Sequence, residues 1–571
     1  MAKNITFVSN ISSLSNFDDK NHLVPLNDDV KTYLINKNIR YLNFEDFYDR
    51  ANKDVISKHS EIWARDWVSE ESDVLRSLNL SLHHFFAKRL YLLESLNSLL
   101  DKERPTTVYI DREKKGVKSF FVFDHETLSP LIEFLCKEKG IRVKKNKTVE
   151  INLIKHLIQL FKPPKIKSLN SFAVFGDEDV TLFLAHHYHI LGCFPLIKKF
   201  EKNSLLVVGR VGQAEPELVK SGIRFLNYTG EVNLSSLIFN LVLKFRYFIL
   251  LRSISRSIYK YKNFDLYPIF SDKLISVVIV DALNLENYKS FFSYLLRNIN
   301  VKQVVAVTND STNQIMLREA NKNKIPTLEI QHGLHVGIDS KYLVANIFEV
   351  WGESTKKLCG KFGIDAKRLI VGGWPNFDKL NKFNSKRDFK SSRLEILYLH
   401  HQAEGFSSQY KFNNTEKTFK IILASLRDTA INANIIVRLH PRTSDKVLKA
   451  IAKKEKLKIY FDENSDLVNL LGGSDVIIGQ TTTATLYALL MGKPVIYFPS
   501  MIFPKKFLEN SGVSVAKNKS ELNHCLETIL RSRSATKNSK IAKFLLDYCS
   551  FGTNSSDKIF NMLKRTEYEL N

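Results

Sequence analysis

Two stretches of this 571-residue chain limit its fold most sharply. Ile435-Ile436-Val437 stops at Arg438-Leu439-His440-Pro441, and Val476-Ile477-Ile478 stops at Gly479-Gln480-Thr481-Thr482-Thr483. An unbroken β-branched apolar run suits a strand buried on both faces, and such strands belong to parallel sheets covered by helices. The second run leads into Leu486, Leu489 and Leu490 at helical spacing, so it reads as a strand feeding a helix. The threonines then stand where that helix begins, beside unpaired N–H groups and the positive end of the dipole. A helix start of this kind is a candidate phosphate site. In open α/β sheets ligands bind beyond the carboxyl ends of strands, where both polar clusters fall.

The rest of the chain repeats the alternation. Ile5–Val8, Val108–Ile110 and Val117–Phe123 read as strands and Ser72–Leu100 as a long helical pattern, with Trp63 and Trp67 as packing residues. From Ser171 the alternation becomes regular. Ser171–Phe175 reads as a strand, Val180–Leu191 as a helix, and Leu205–Val208 and Ile275–Val280 as strands. Val304–Val307 follows, then the helix Ser311–Asn321 and the strand Thr327–Ile330, which ends at Gln331-His332-Gly333. Short strands at Phe348–Val350 and Leu369–Val371 flank the helix Lys356–Phe362. Strands alternating with helices predict parallel sheets with right-handed crossovers. The polar segment Asn381–Arg393 reads as a linker to a second β/α series that starts at Ile396. The expected domains are residues 1–165, an α/β extension of the acceptor-side domain; 166–385, a Rossmann-like domain; and 390–571, a second one with C-terminal helices.

Lys and Arg exceed Asp and Glu by 84 − 60 = 24. Nucleic acid, an anionic membrane or acidic substrates can each account for that excess. No RNA-binding signature is present, which argues against nucleic acid. The most apolar segment, Leu234–Leu251, is interrupted by Lys244 and Arg246 and followed by Arg252, Arg256, Lys260 and Lys262. It suits a core helix or a basic amphipathic helix on an anionic membrane better than a span. The five cysteines form no Cys-x-x-Cys pair, and the N-terminus lacks a signal-peptide apolar core. Both point to reduced thiols in a cytosolic compartment.

Four further groups are candidates for chemistry. In Gln331-His332-Gly333-Leu334-His335, either histidine can serve as a general base near neutral pH, and Gly333 permits close approach of a ligand. Asp177-Glu178-Asp179 suits a divalent metal, a dipole complement at a helix start, or a base that deprotonates an acceptor hydroxyl. His400-His401 ends the first strand of the second series, where His400 can face the cleft; the pair is a poor metal site because adjacent strand residues point to opposite faces. His186, His187 and His189 fall inside the expected helix and read as packing.

The Gln-His-Gly turn, the Arg-x-His-Pro stretch and the threonine-rich turn together resemble bacterial surface-polysaccharide glycosyltransferases of the two-Rossmann GT-B class. Two groups are nearest: polysialyltransferases with the capsule sialyl- and Kdo-transferases, and the teichoic-acid CDP-glycerol glycerophosphotransferases. The resemblance covers residues 300–517 well, 170–300 in architecture only, and says almost nothing of 1–165. It implies an α/β fold with two Rossmann-like domains whose parallel sheets face a central cleft. It also implies an enzyme that moves a sugar from a nucleotide-activated donor, CMP-linked sialic acid or Kdo first, to a capsule or lipopolysaccharide glycan. A CDP-polyol phosphotransferase and a non-enzymatic binder of anionic polymers are the alternatives. Arg438, His440, Pro441, Gln480, Thr481, Thr482, Thr483 and His400 would hold the donor, without metal or cofactor. The base would be His332, preferred narrowly over Asp177 or Glu178. Expected partners are the nucleotide sugar, a glycan or glycolipid acceptor and the anionic inner-membrane surface, with a cytoplasmic, peripheral location.

Overall fold

The structure is a computed structural model. It describes residues 4–569 except 17–20, 48–51, 68–71, 112–127, 146–177, 228–236, 253–258, 335–340, 383–392, 401–414, 430–431, 441–444, 456, 464, 500–507, 533–538, 551 and 553. The expected strands Val117–Phe123 and Ser171–Phe175, together with Asp177, His335, His401 and Pro441, lie outside the described residues.

Three sheets are described, every strand pair in them parallel. The first holds β1 (Asn4–Val8), β2 (Asn21–Pro25), β3 (Thr107–Ile110) and β4 (Arg142–Lys145) in the order β2-β1-β3-β4. The second holds β5 (Val180–Leu184), β6 (Leu205–Gly209) and β7 (Arg224–Asn227). An antiparallel hairpin, β8 (Lys260–Tyr261) and β9 (Phe264–Asp265), interrupts the crossover to β10 (Val301–Ala306), β11 (Thr327–Ile330), β12 (Ile347–Val350) and β13 (Leu369–Val371). Its order, β13-β12-β11-β10-β5-β6-β7, is the doubly wound 3-2-1-4-5-6 arrangement with a seventh strand. The third holds β14 (Leu394–Leu399), β15 (Ala433–Arg438), β16 (Ile459–Asp462), β17 (Val476–Gly479), β18 (Val495–Tyr497) and β19 (Ser514–Val515). Its order, β16-β15-β14-β17-β18-β19, is 3-2-1-4-5-6 again. The fold class is therefore α/β with two Rossmann-like domains, as the alternation predicts.

Two expected elements are corrected. Val180–Leu191 is not one helix: Val180–Leu184 is β5, and the helix is His187–Ile197. All five residues of β5 are buried, which suits a central strand covered on both faces. Ile275–Val280 is not a strand but the middle of the long helix Tyr267–Asn298, with Asp281 buried inside it. A short apolar run looks the same in a buried strand and in a helix packed on several sides, and here the apolar positions continue through Leu285, Phe292 and Leu295.

The N-terminal unit packs against both Rossmann domains. One continuous core joins Phe86 and Leu93 of its helix Asn79–Glu103 to Val304 of the second sheet and Ile315 of the helix Ser311–Lys322. Trp63 and Trp67 are packing residues in that core, each meeting Phe86 and Tyr259. On the other side Ile35 enters the core of the third sheet, and the Tyr41 hydroxyl donates to Glu416 Oε1 at 2.6 Å. Lys31 adds an ion pair to Glu416 at 3.1 Å.

The C-terminal helices Ser539–Cys549 and Ser555–Glu569 return to the second sheet's domain. Asp378 accepts the Ser555 and Ser556 N–H groups at 2.8 and 2.9 Å, closing the start of the last helix. Ser550 Oγ donates to the Trp351 carbonyl at 2.8 Å. Gly352 is bare because a Cβ there would lie 2.3 Å from the Asp547 carbonyl oxygen.

Candidate functional site

In a doubly wound sheet the crevice opens where strand order reverses, between the first and fourth strands. In the second sheet that point lies between β5 and β10, which pair from Val180 to Leu184 and from Val301 to Ala306. Beyond β5 comes His186, the cap of the His187–Ile197 helix, and beyond β10 comes Asp310. His186 Nε2 lies 3.6 Å from Asp310 Oδ2. Asp310 caps the helix Ser311–Lys322, accepting the Thr312 and Asn313 N–H groups at 3.0 and 3.1 Å, and Thr308 Oγ1 also donates to it. Burial alone would raise its carboxyl, but His186, the Thr308 hydroxyl and the Asn313 N–H outweigh it. The result is a carboxylate held well below its usual range, so it carries a fixed negative charge.

The adjacent strand, β11, brings His332 to the same edge. Its turn is rigid. Gln331 Oε1 accepts the Trp351 N–H at 2.8 Å, the Gln331 carbonyl accepts Trp351 Nε1 at 2.8 Å, and Gln331 Nε2 donates to the Gly333 carbonyl at 3.1 Å. Gly333 has φ +67°, a conformation that favours glycine whether or not a ligand approaches. His332 is exposed, and its ring stands edge-on to His189, centroids 4.4 Å apart. The structure thus gathers His186, His189, His332 and Asp310 on three neighbouring strand ends. Among the described residues no group of three or more His, Cys, Asp or Glu could hold a metal ion.

Glu178 is not part of this group. It lies just before the start of β5, so it stands on the opposite edge of the sheet, 3.5 Å from Arg224. Asp179 beside it accepts from Asn300 Nδ2 at 2.7 Å. The expectation that these acids open a helix is corrected: the strand β5 follows them.

The switch point of the third sheet lies between β14 and β17, where His400 and Gln480 are both buried. His440 follows β15 and stands half-buried. Three expectations for donor binding change here. Arg438 pairs with Asp462 on the neighbouring strand, so its charge is already neutralised. Thr481 is fully buried, its hydroxyl 2.6 Å from the Tyr497 hydroxyl, which removes it from any ligand. Thr482 caps the helix Thr483–Leu490, accepting the Thr485 N–H at 3.3 Å. Thr485 Oγ1 in turn donates to the Gln480 carbonyl at 2.6 Å, and a Cβ on Gly479 would lie 2.5 Å from Thr485 Oγ1. The half-buried Thr482 and Thr483 and the first-turn N–H groups are what the turn offers an anion.

His400 gives a pH test of this edge. Its Nδ1 lies 3.1 Å from the Tyr398 hydroxyl, and burial, then the charge of His440, push its imidazole down to about 3. The unfolded chain takes up this proton near pH 6.5, which the native state refuses until far lower pH. Stability therefore falls as pH drops through that window, by up to about 1.4 kcal/mol per unit. Between pH 6.5 and 5 the parent should lose about 2 kcal/mol more than a His400→Gln variant. Denaturant midpoints at the two pH values measure this, and equal losses would contradict a neutral buried His400.

No family profile and no curated protein matches the sequence. Among solved structures the chain is similar to a UDP-GlcNAc 2-epimerase from Neisseria meningitidis bound to UDP-GlcNAc. Identity there is 14%, with TM-score 0.45 over 68% of this chain and 100% of that one. It is also similar to a glycosyltransferase from Rickettsia africae, at 14% identity and TM-score 0.42 over 69% and 99% of the two chains. A third is Anabaena HepE in complex with UDP and glucose, at 12% identity and TM-score 0.43 over 68% and 100%. The Rossmann assignment rests on this chain's own strand order, 3-2-1-4-5-6 in both large sheets.

Proposed function

We propose that the chain is a glycosyltransferase that moves a sugar from a nucleotide-activated donor to a growing capsule or lipopolysaccharide glycan. A CMP-linked donor of the sialic acid or Kdo type ranks first. The reading places it in the cytoplasm, peripheral on the inner membrane. The observation that carries it is the pairing of two switch points: a helix start able to hold phosphate in one domain, and a histidine–carboxylate cluster in the other. The donor lies on the third sheet and the acceptor on the second, facing each other across a cleft.

In this reading the acceptor oxygen attacks the donor's sugar carbon as its proton passes to His332, the exposed member of the cluster. The bond from that carbon to the phosphate oxygen breaks. His440 and the first turn of Thr483–Leu490 take up the charge that develops on the leaving nucleotide. His189 fixes the His332 ring edge-on. Asp310, beside His186 on the adjoining strand end, gives the cluster a fixed negative charge. A cation-and-dipole site of this kind works without a metal.

A second reading, transfer of a polyol phosphate from a CDP-linked donor, gains from one observation. The described acid Glu178 stands on the far edge of the sheet, which favours a histidine base over a carboxylate. The test is a donor screen. Purified protein is incubated with CMP-, CDP-, UDP- and GDP-linked donors, and nucleotide release is measured with and without glycan acceptors. Release from a sugar nucleotide is expected. Release only from CDP-glycerol selects the second reading, and release from none overturns both.

A further inference from the structure

We infer that the helix Leu237–Arg252 is a membrane-docking element whose outer face enters the interface of an anionic bilayer. Its inner face packs through Leu243 and Tyr247, both buried, and the Tyr247 hydroxyl donates to Glu286 Oε1 at 2.7 Å on the long helix Tyr267–Asn298. The other side carries Val242, Phe245, Phe248 and Ile249, which are 60%, 66%, 38% and 55% exposed. At helical spacing these four fall on one arc, with the exposed Arg246 at its margin. Large exposed apolar residues elsewhere on the described surface stand mostly singly, whereas here four fall within eight positions of one helix. A contiguous apolar ridge of this kind marks an interaction site.

Charge selects the partner. Between Val232 and Phe264 the sequence has Lys244, Arg246, Arg252, Arg256, Lys260 and Lys262 and no Asp or Glu. Lys262 is held by Glu94 at 2.6 Å, while Arg246 and Lys260 are exposed. An apolar ridge set in a segment of unmixed positive charge matches a surface that is apolar below and anionic above. No described helix is long and apolar enough to cross a membrane, so the contact is one of surface docking. This deepens the membrane part of the proposal above. Because lipid binding is read without donor or acceptor, its failure leaves the transfer reading standing, and the converse also holds.

The experiment is co-sedimentation of the full chain with phosphatidylcholine vesicles and with mixed phosphatidylcholine–phosphatidylglycerol vesicles. Binding to the anionic vesicles alone is expected. The double variant Phe245→Ser/Ile249→Ser should lower partitioning about tenfold or more with an unchanged melting temperature, since both side chains are exposed. Arg246→Glu leaves the apolar ridge in place and should weaken binding at low salt, and less at high salt. Failure of the parent to bind anionic vesicles overturns the inference, as does undiminished binding by all variants. A parent that is dimeric in solution, with a monomeric double variant, also overturns it, because a second copy then covers the face.

Discussion

His332→Ala should lower kcat by about 10²–10⁴-fold, the range that loss of a general base produces, while donor affinity stays within a few-fold of the parent. The separation follows from position: His332 ends β11 in the second sheet, whereas the residues assigned to the donor end strands of the third. Asp310→Asn is the sharper companion. Asparagine caps a helix about as well as aspartate, so the start of Ser311–Lys322 survives while the negative charge is lost. If that charge acts on the His332 base, its removal should move the acid limb of the kcat profile to lower pH. A purely structural role for Asp310 would leave the limb in place. Glu178→Gln should turn over normally, because its carboxylate lies beside Arg224 on the far edge. If His332→Ala turns over like the parent while Asp177→Asn binds donor and is inactive, the base is that carboxylate.

The same cluster shows where reading from sequence stops. The strands β15 and β17 were legible because Ile435–Val437 and Val476–Ile478 are unbroken β-branched runs that end at polar residues. The strand β5 is just as apolar, but Val-Thr-Leu-Phe-Leu also fits the start of a helical pattern. Beginning the helix at Val180 puts His186 and His189 inside it, as packing residues. Beginning it at His187 makes His186 a cap at the switch point and brings His189 to His332. One misplaced boundary thus concealed half of the cluster. Asp310-Ser311 is a legible N-cap after the β10 strand, but its histidine partner lies 124 positions away (310 − 186). The threonines show a different limit. Thr481, Thr482 and Thr483 are chemically alike in sequence, but in the fold the first is buried against Tyr497 while the second and third are half-buried.

Trp374→Ala should cost about 3–5 kcal/mol, the loss expected when a large aromatic leaves a packed site. The indole is 6% exposed and links both Rossmann domains. Its Nε1 donates to the Tyr487 hydroxyl at 3.2 Å, on the third sheet's helix Thr483–Leu490, and Asn376 Nδ2 donates to the same oxygen at 2.8 Å. On the other side its ring lies so close to Gly192 of the His187–Ile197 helix that a Cβ there would stand 2.6 Å from it. The Trp351 ring is 5.9 Å away, and Trp351 also holds the Gln331 turn before His332. Removing the indole therefore loosens the joint between the domains as well as the local core. The parent is expected to unfold in one transition that splits into two in this variant, because the second and third sheets each keep a core of their own. Gly192→Ala tests the same contact from the opposite face, where an added methyl should cost about 1–3 kcal/mol. Trp374→Phe separates the two contributions, since it keeps an aromatic ring but removes the N–H that reaches Tyr487. A Trp374→Ala protein that unfolds in one step within about 0.5 kcal/mol of the parent would mean that this joint does not hold the two domains together.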